Sequence, residues 1–355
     1  AKNITNPDLD VNFFEFYRET CNKLKKILNT KEDILILNGE GILGLEAACA
    51  SLIEPGDRVL CIENGIFGIG FGDFVKIYGG EVVYFEGDRR RAIDVENLKK
   101  FLENDHDFKL ATVVHCETPS GISNPVDRIC PLLKEYGIVS VVDSVSAMGG
   151  EQVEVDKWQM DIVLGGSQKC ISASPGLTIL SISEKAYEIM LNRHTPIASF
   201  YCNLSIWKNW YEKKWFPYTQ PISDIYGLNC ALDRILDKND YVERHKKIGK
   251  AVRAAILKSN LELYPLDGYS NTVTTMLVPE GVLFKDIYNS MIEEHNIMIA
   301  GAFDFLKDKV IRIGHMGENC HEENLYITLK ALDETLKKLG VKIEGSLHKH
   351  FVDEI

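Results

Sequence analysis

The stretch GIVSVVDSVSAMGG, residues 137–150, decides the fold. Its first half, Ile138–Val142, is a short run rich in β-branched residues, of a length that suits a buried strand. The run stops on Asp143 and passes into the small residues of Ser144–Gly150. A second stretch, DIVLGGSQKCISASPG at 161–176, repeats the plan: an apolar run, two glycines, then Ser167-Gln168-Lys169 and another small-residue turn. Upstream, short apolar runs alternate with helical periodicity. Val11–Leu28, Gly41–Leu52, Phe67–Tyr78 and Asp94–Leu102 read as helices, the third stopping at Gly79-Gly80 and the fourth capped by its Asp. Asp33–Leu37, Arg58–Ile62, Glu81–Phe85 and Leu110–His115 read as strands, and a helix begun at the Pro125–Asp127 turn leads into the strand at Ile138. Such alternation predicts βαβ units and an α/β fold whose mainly parallel sheet is covered by helices on both faces.

The texture changes after about Tyr226. Helices dominate from Leu228 to about Ser259, and strand-like runs at Thr272–Leu277 and Val310–Ile313 are flanked by helices at Leu283–His295 and Cys320–Leu339. A large domain over residues 1–237, which includes the N-terminal helix, and a smaller C-terminal α+β domain over 238–355 are expected, with Ser346–Ile355 unassigned. The 355 residues carry a net charge of -12, which argues against nucleic acid as a main partner. Nine scattered cysteines, without a CxxC pair or a metal-ligand spacing, predict reduced thiols, no metal and a cytoplasmic home. The opening AKNITNPDLD has no basic region followed by an apolar run, so no signal peptide is expected. No window approaches the ~20 apolar residues that a membrane span needs.

Two residues carry the chemistry. Lys169 lies between an apolar strand and a tight turn, an odd place for a solvated charge. An amine there suits condensation with the aldehyde of pyridoxal 5'-phosphate, where desolvation helps it lose its charge. Asp143 ends a strand of an open parallel sheet, where ligands bind beyond the carboxyl ends. A buried carboxylate needs a cationic partner, and a protonated pyridine nitrogen is one. The bland readings are a surface lysine and a turn-capping Asp; the two residues at successive strand ends are more specific together than apart. Gly39-Glu40-Gly41-Ile42-Leu43-Gly44 lies between a strand and a helix, where backbone N–H groups bind phosphate. It is also a literal GxGxxG with Glu63 about 20 residues on, so a nicotinamide-binding fold is a rival.

Taken in order, these residues resemble the class V aminotransferases of pyridoxal-phosphate fold type I, with the alanine–glyoxylate and serine–pyruvate group as the most similar branch. The resemblance runs from about Asp33 to Gly317 and implies a seven-stranded-type sheet and a homodimer with shared active sites. It places the phosphate on the N–H groups of Gly41 and Ile42, Phe67 of Asn64–Gly68 against the pyridine ring, and Thr118 of His115–Gly121 beside the phenolic oxygen. Val142–Val145 matches the pyridine-nitrogen motif, which brings in Asp143 and Val145. Gly166–Lys169 matches the Schiff-base motif, with Gln168 near the phosphate. Phe216–Thr219 matches a segment that reaches the neighbouring subunit's phosphate through Tyr218 and Thr219, and Arg312 of Ile311–Gly314 would clamp the substrate carboxylate. The implied reaction is a ping-pong transamination from an amino acid to a small 2-oxo acid such as glyoxylate or pyruvate. Lys169 carries the proton and Asp143 stabilises the electron-rich ring. His315, Met316, Cys116 and Cys170 are expected to have no chemical role.

Three departures stand out. Glu40 occupies a position where the family usually has a small hydroxyl; a carboxylate would repel phosphate, so it is expected to point away. Phe216 stands where a phosphate-contacting tyrosine is common. The start of the chain lacks a Gly-Pro-Gly segment that lines the family's substrate pocket, which leaves the amino donor open. The alternatives are another fold-type-I enzyme, a lyase or desulfurase, and the nicotinamide dehydrogenase. A desulfurase needs a cysteine-bearing loop before Arg312, which the sequence lacks; the dehydrogenase leaves Ser167–Lys169 and Asp143 unexplained.

Overall fold

Seven strands form one sheet, and they point the residues of the expected site toward a single edge. The structure, a computed structural model, describes residues 6–355; the first half of the AKNITNPDLD stretch therefore lies outside the described residues. The strands are β1 (Asp33–Asn38), β2 (Arg58–Glu63), β3 (Glu81–Glu86), β4 (Leu110–Val114), β5 (Cys116–Glu117), β6 (Ile122–Ser123), β7 (Val139–Asp143), β8 (Ile162–Gly166), β9 (Leu177–Ile182), β10 (Val273–Leu277) and β11 (Val310–Gly314). The large sheet has the order β1-β9-β8-β7-β4-β2-β3. From β3 to β8 every pairing is parallel, while β9 runs antiparallel to both β8 and β1. The other six strands therefore share one direction. The segments that follow β1, β2, β4, β7 and β8 emerge on the same edge, where a parallel sheet binds ligands.

Strand β9 was not assigned from the sequence. Its LTILSI run is wholly buried, so no alternation of buried and exposed positions marks it as a strand. The alternation is legible elsewhere because each element buries what its period demands. Helix α1 (Val11–Leu28) starts on Asp10, whose side chain accepts from the Asn12 N–H, and ends on Asn29 in the left-handed conformation. It buries Phe13, Phe14, Tyr17 and Leu24, and the Tyr17 hydroxyl both donates to the Ile36 carbonyl and accepts the Ile36 N–H of β1. Helices α2 (Gly41–Leu52) and α3 (Ile66–Ile77) follow β1 and β2.

The apolar residues fall mainly into two cores, one drawn from Phe13 to Ile235 and one from Ile248 to Phe351. In the second, β10 and β11 pair antiparallel, so that Arg312 lies opposite Thr275. The unassigned tail contains a helix, Leu347–Val352, which buries Leu347 and Phe351 in that core. Among the described residues no helix is long and apolar enough to cross a membrane.

Candidate active site

Asp143 and Lys169 line one cavity at the edge of the sheet. The register brings this about: Asp143 ends β7 between Val114 of β4 and Leu164 of β8, and Lys169 follows β8 by three residues. Asp143 is buried, and its Oδ1 accepts the Val145 N–H at 2.8 Å. Burial lifts its carboxyl to about 6; the Val145 N–H and the Lys169 ammonium pull the other way, and the charge of Glu40 adds to the rise. A desolvated carboxyl with one hydrogen bond has room for a cationic donor. The same cavity is lined by Phe67, Thr118 and Ser146, whose two hydroxyls hydrogen-bond each other at 2.5 Å.

The start of α2 closes one end. Glu40, Gly41 and Ile42 all line the cavity. A Cβ on Gly41 would stand 2.5 Å from Cγ2 of Val145, so only glycine lets the helix start approach the Asp143 turn this closely. The turn is tied to the segment after Lys169 by the Gly39 N–H, which donates to the Gly176 carbonyl, and by the Thr178 hydroxyl, which donates to the Glu40 carbonyl. Glu40 does not point away. It is the N-cap of α2, and its Oε1 accepts the Ile42 N–H at 3.2 Å. The expectation drawn from phosphate repulsion is thereby corrected: the unpaired N–H groups and positive end of a helix attract the chain's own carboxylate.

Two further groups escaped the sequence reading. Glu117 is buried, and its carboxylate accepts the N–H groups of Gly68 at 2.6 Å and of Phe67 at 3.3 Å, pinning the start of α3 and with it the Phe67 ring. Burial raises its carboxyl to about 7 against the pull of those two donors. Gly65 lies so close that a Cβ there would fall 2.6 Å from the Glu117 Cδ. The available signal was an acidic residue three positions past the end of a wholly buried strand. The second is Ser146, hidden in a run of small residues. Cys116 also lines the cavity, with its thiol held toward the Ser270 hydroxyl, and burial raises that thiol to about 12.

The remaining expected residues lie around this centre. Gln168 and Lys169 line an adjoining cavity with Gly314 and Asn319, and the buried Oε1 of Gln168 has no hydrogen-bond partner. Arg312 lines a third cavity that shares Gly314 and Asn319 with the second. Its Nε donates to the Gly301 carbonyl at 2.6 Å, and its terminal nitrogens carry no hydrogen bond among the described residues. Phe216 is buried in the aromatic core, stacked 4.4 Å from Phe14. Tyr218 stacks on Tyr201, and the Thr219 hydroxyl donates to Asp8; neither residue lines the Lys169 cavity of its own chain. Glu63 is buried and pairs with Arg89 at 2.9 Å, so it does not serve the Gly39–Gly44 turn as a ribose acid.

The donor set fits the ring of pyridoxal 5'-phosphate. A buried carboxyl, an amine, a flat aromatic wall and a pair of hydroxyls face one space, and the Gln168 orphan lies in the cavity that shares Lys169 with it. The 5'-phosphate end fits less well, because Glu40 has taken the Ile42 N–H.

Comparison with known proteins agrees with this chemistry. The family model Aminotransferase class-V matches residues 4–301. An uncharacterized aminotransferase of Methanocaldococcus jannaschii is 37% identical over 332 residues, covering 92% of this chain and 86% of the relative. A pyridoxamine–pyruvate transaminase of Mesorhizobium japonicum is 33% identical over 343 residues, covering 95% and 87%. The solved structure of a ureidoglycine–glyoxylate aminotransferase from Bacillus subtilis superposes with a TM-score of 0.94 at 28% identity, over 99% of this chain and 92% of that one.

Proposed function

The chain belongs to the class-V aminotransferases, and on that footing we propose that it is a pyridoxal-phosphate-dependent transaminase that moves an amino group to a small 2-oxo acid, glyoxylate or pyruvate, in two ping-pong halves. The observation that carries the reading is the shared cavity of the Asp143 carboxyl and the Lys169 amine. The cofactor, when bound, supplies an aldehyde that condenses with amines and a ring that takes up the electron pair released beside it. The chain's residues do the rest. Lys169 would hold the cofactor through its Nζ and would carry the proton that leaves and rejoins the substrate carbon. Asp143 would hold a proton at the ring nitrogen. Phe67, steadied by Glu117, would cover a ring face, and the Thr118–Ser146 hydroxyl pair would meet the phenolic oxygen. Gln168, Gly41, Ile42 and Val145 border the rest of the ring.

Arg312 would bind the carboxylate common to amino acids and 2-oxo acids, since its terminal guanidinium nitrogens are free for a two-point contact. Arg312→Ala should raise KM for both substrates by about 10–100-fold with a smaller change in kcat, as expected for a lost charge-assisted hydrogen bond. Steady-state kinetics would check this; an unchanged KM would remove Arg312 from the site. The reading as a whole is tested by screening amino donors against glyoxylate and pyruvate. Spectral conversion of the bound cofactor by at least one donor is expected, and no conversion by any would refute it. A desulfurase reading finds little support: eight of the nine cysteines are buried, and the exposed one, Cys230, lies on the helix Ile222–Lys238.

The working unit we propose is a homodimer with shared active sites, in which Tyr218 and Thr219 serve the partner's cavity. Exposed Phe200, Tyr201 and Trp215 nearby supply apolar surface for such a contact. A solution mass equal to one chain would refute it. The two cores support a large domain at residues 1–237 and a smaller one at 238–355, which limited proteolysis near Lys238 would test. All nine thiols are free, in keeping with a reducing cytoplasm, and fractionation to an oxidising compartment would contradict that assignment.

A further inference from the structure

The end of the cavity that would meet the 5' substituent of the ring carries an anion of its own, Glu40. Helix α2 presents its first N–H groups there, and two of them are already engaged. The Ile42 N–H donates to the Glu40 carboxylate and the Leu43 N–H to the Glu40 carbonyl. Around the cavity the charged side chains are Glu40, Asp143 and Lys169. Among the described residues Lys169 is the only cation there, and condensation with an aldehyde would remove its charge. A phosphate monoester brings about -1.5 to -2 charges near pH 7. It would meet a carboxylate where the family's turn offers donors, with no side-chain cation to offset the repulsion. The other segment expected to reach a phosphate brings none either. Phe216 is turned into the aromatic core, Tyr218 is stacked on Tyr201 with its hydroxyl buried, and the Thr219 hydroxyl is engaged by Asp8.

A hydroxymethyl group reverses each of these terms. It carries no charge, it is smaller, and its O–H is a donor where Glu40 is an acceptor. We propose that this cavity takes the unphosphorylated vitamer pyridoxamine as an amino donor that binds, reacts and leaves as pyridoxal, with the Glu40 carboxylate accepting the hydroxyl of its 5-hydroxymethyl group. The inference rests on the roles given above to Lys169 and Asp143 and departs from the proposed function at the 5' end alone, where it replaces the phosphate ester by the free hydroxymethyl group.

The step balances without an outside oxidant. The C4'–N bond of pyridoxamine breaks and a C–N bond forms at C2 of the oxo acid. C4' is oxidised by two electrons from amine to aldehyde, and C2 is reduced by two from ketone to amine. Lys169 takes the proton from C4' and returns it to C2. The water released on condensation of the amine with the ketone is matched by the water consumed when pyridoxal is hydrolysed free.

The test measures binding as well as turnover. Dissociation constants for pyridoxal and pyridoxal 5'-phosphate are determined by equilibrium dialysis on the wild-type chain, Glu40→Ser and Glu40→Gln. Serine is a good N-cap, so the first variant keeps its helix start; the second removes the charge at nearly constant shape. Wild type should bind pyridoxal about tenfold or more tightly than the phosphate ester and should convert pyridoxamine and pyruvate to pyridoxal and alanine. Glu40→Ser should shift the ratio toward the phosphate ester by about 10–100-fold, the range of one charge-assisted hydrogen bond, and Glu40→Gln should shift it part of the way. Tighter binding of the phosphate ester by wild type, or a ratio unmoved in Glu40→Ser, overturns the proposal. If that outcome comes with normal transamination of amino acids on pyridoxal 5'-phosphate, only the 5'-end inference falls; if neither vitamer reacts with any amine or oxo acid, the reading of Lys169 and Asp143 falls with it.

Discussion

Lys169→Ala should leave a folded chain that no longer transaminates. The amine lies at the wall of a cavity and makes no ion pair within the described residues, so its loss removes little that holds the fold. Its loss removes both the covalent attachment point and the group that moves the proton. Proton transfer by a positioned side chain alone is worth about 10²–10⁴-fold, and the loss should be at least that large. Addition of a small exogenous amine should restore part of the proton transfer, which a merely structural defect would not allow. Full activity in Lys169→Ala, measured with donors active on wild type, would reject the assignment.

Asp143→Asn should separate catalysis from stability. The amide keeps an oxygen for the Val145 N–H but cannot hold a proton at the ring nitrogen, so turnover should fall by about 10²–10³-fold, as when one group aimed at transition-state charge is lost. Stability without ligand should move the other way. The Asp143 carboxyl is raised from 3.8 to about 6 in the folded chain, chiefly by burial. The native state therefore holds its proton more tightly than the unfolded state, and the wild type loses stability as pH rises through that interval. An asparagine has no proton to lose. The variant should thus gain relative to wild type between about pH 4 and 6, by at most about 3 kcal/mol, and keep that gain at higher pH. Denaturant melts of the two ligand-free proteins across this range would check it. A difference that stays flat with pH would show that the carboxyl is not desolvated as described.

Much of this was legible from residue pattern, and the exceptions share a cause. The strand-end Asp143 and the turn-borne Lys169 could be read because an ionisable group beside a buried apolar run contradicts its surroundings. Strand β9 could not, because LTILSI is uniformly buried and carries no period to distinguish strand from helix. Glu117 was passed over because its partners are backbone N–H groups 49 and 50 residues away, which no local pattern records. Glu40 is visible in the sequence, but phosphate repulsion alone does not predict its place, because the chain's own helix terminus attracts its carboxylate. Arg312 is named through the resemblance of Ile311–Gly314 to a family strand, and its relation to the cavity depends on how β11 packs near the Lys169 turn, a long-range matter.

The central claim, that Lys169 is the amine that takes the aldehyde, has a direct measurement. The protein is incubated with pyridoxal or pyridoxal 5'-phosphate, reduced with borohydride, digested and examined by mass spectrometry. A single pyridoxyl adduct on Lys169, absent when a reactive amino donor is added before reduction, is the result expected. An adduct on another lysine with Lys169 unmodified, or none at all, would contradict it.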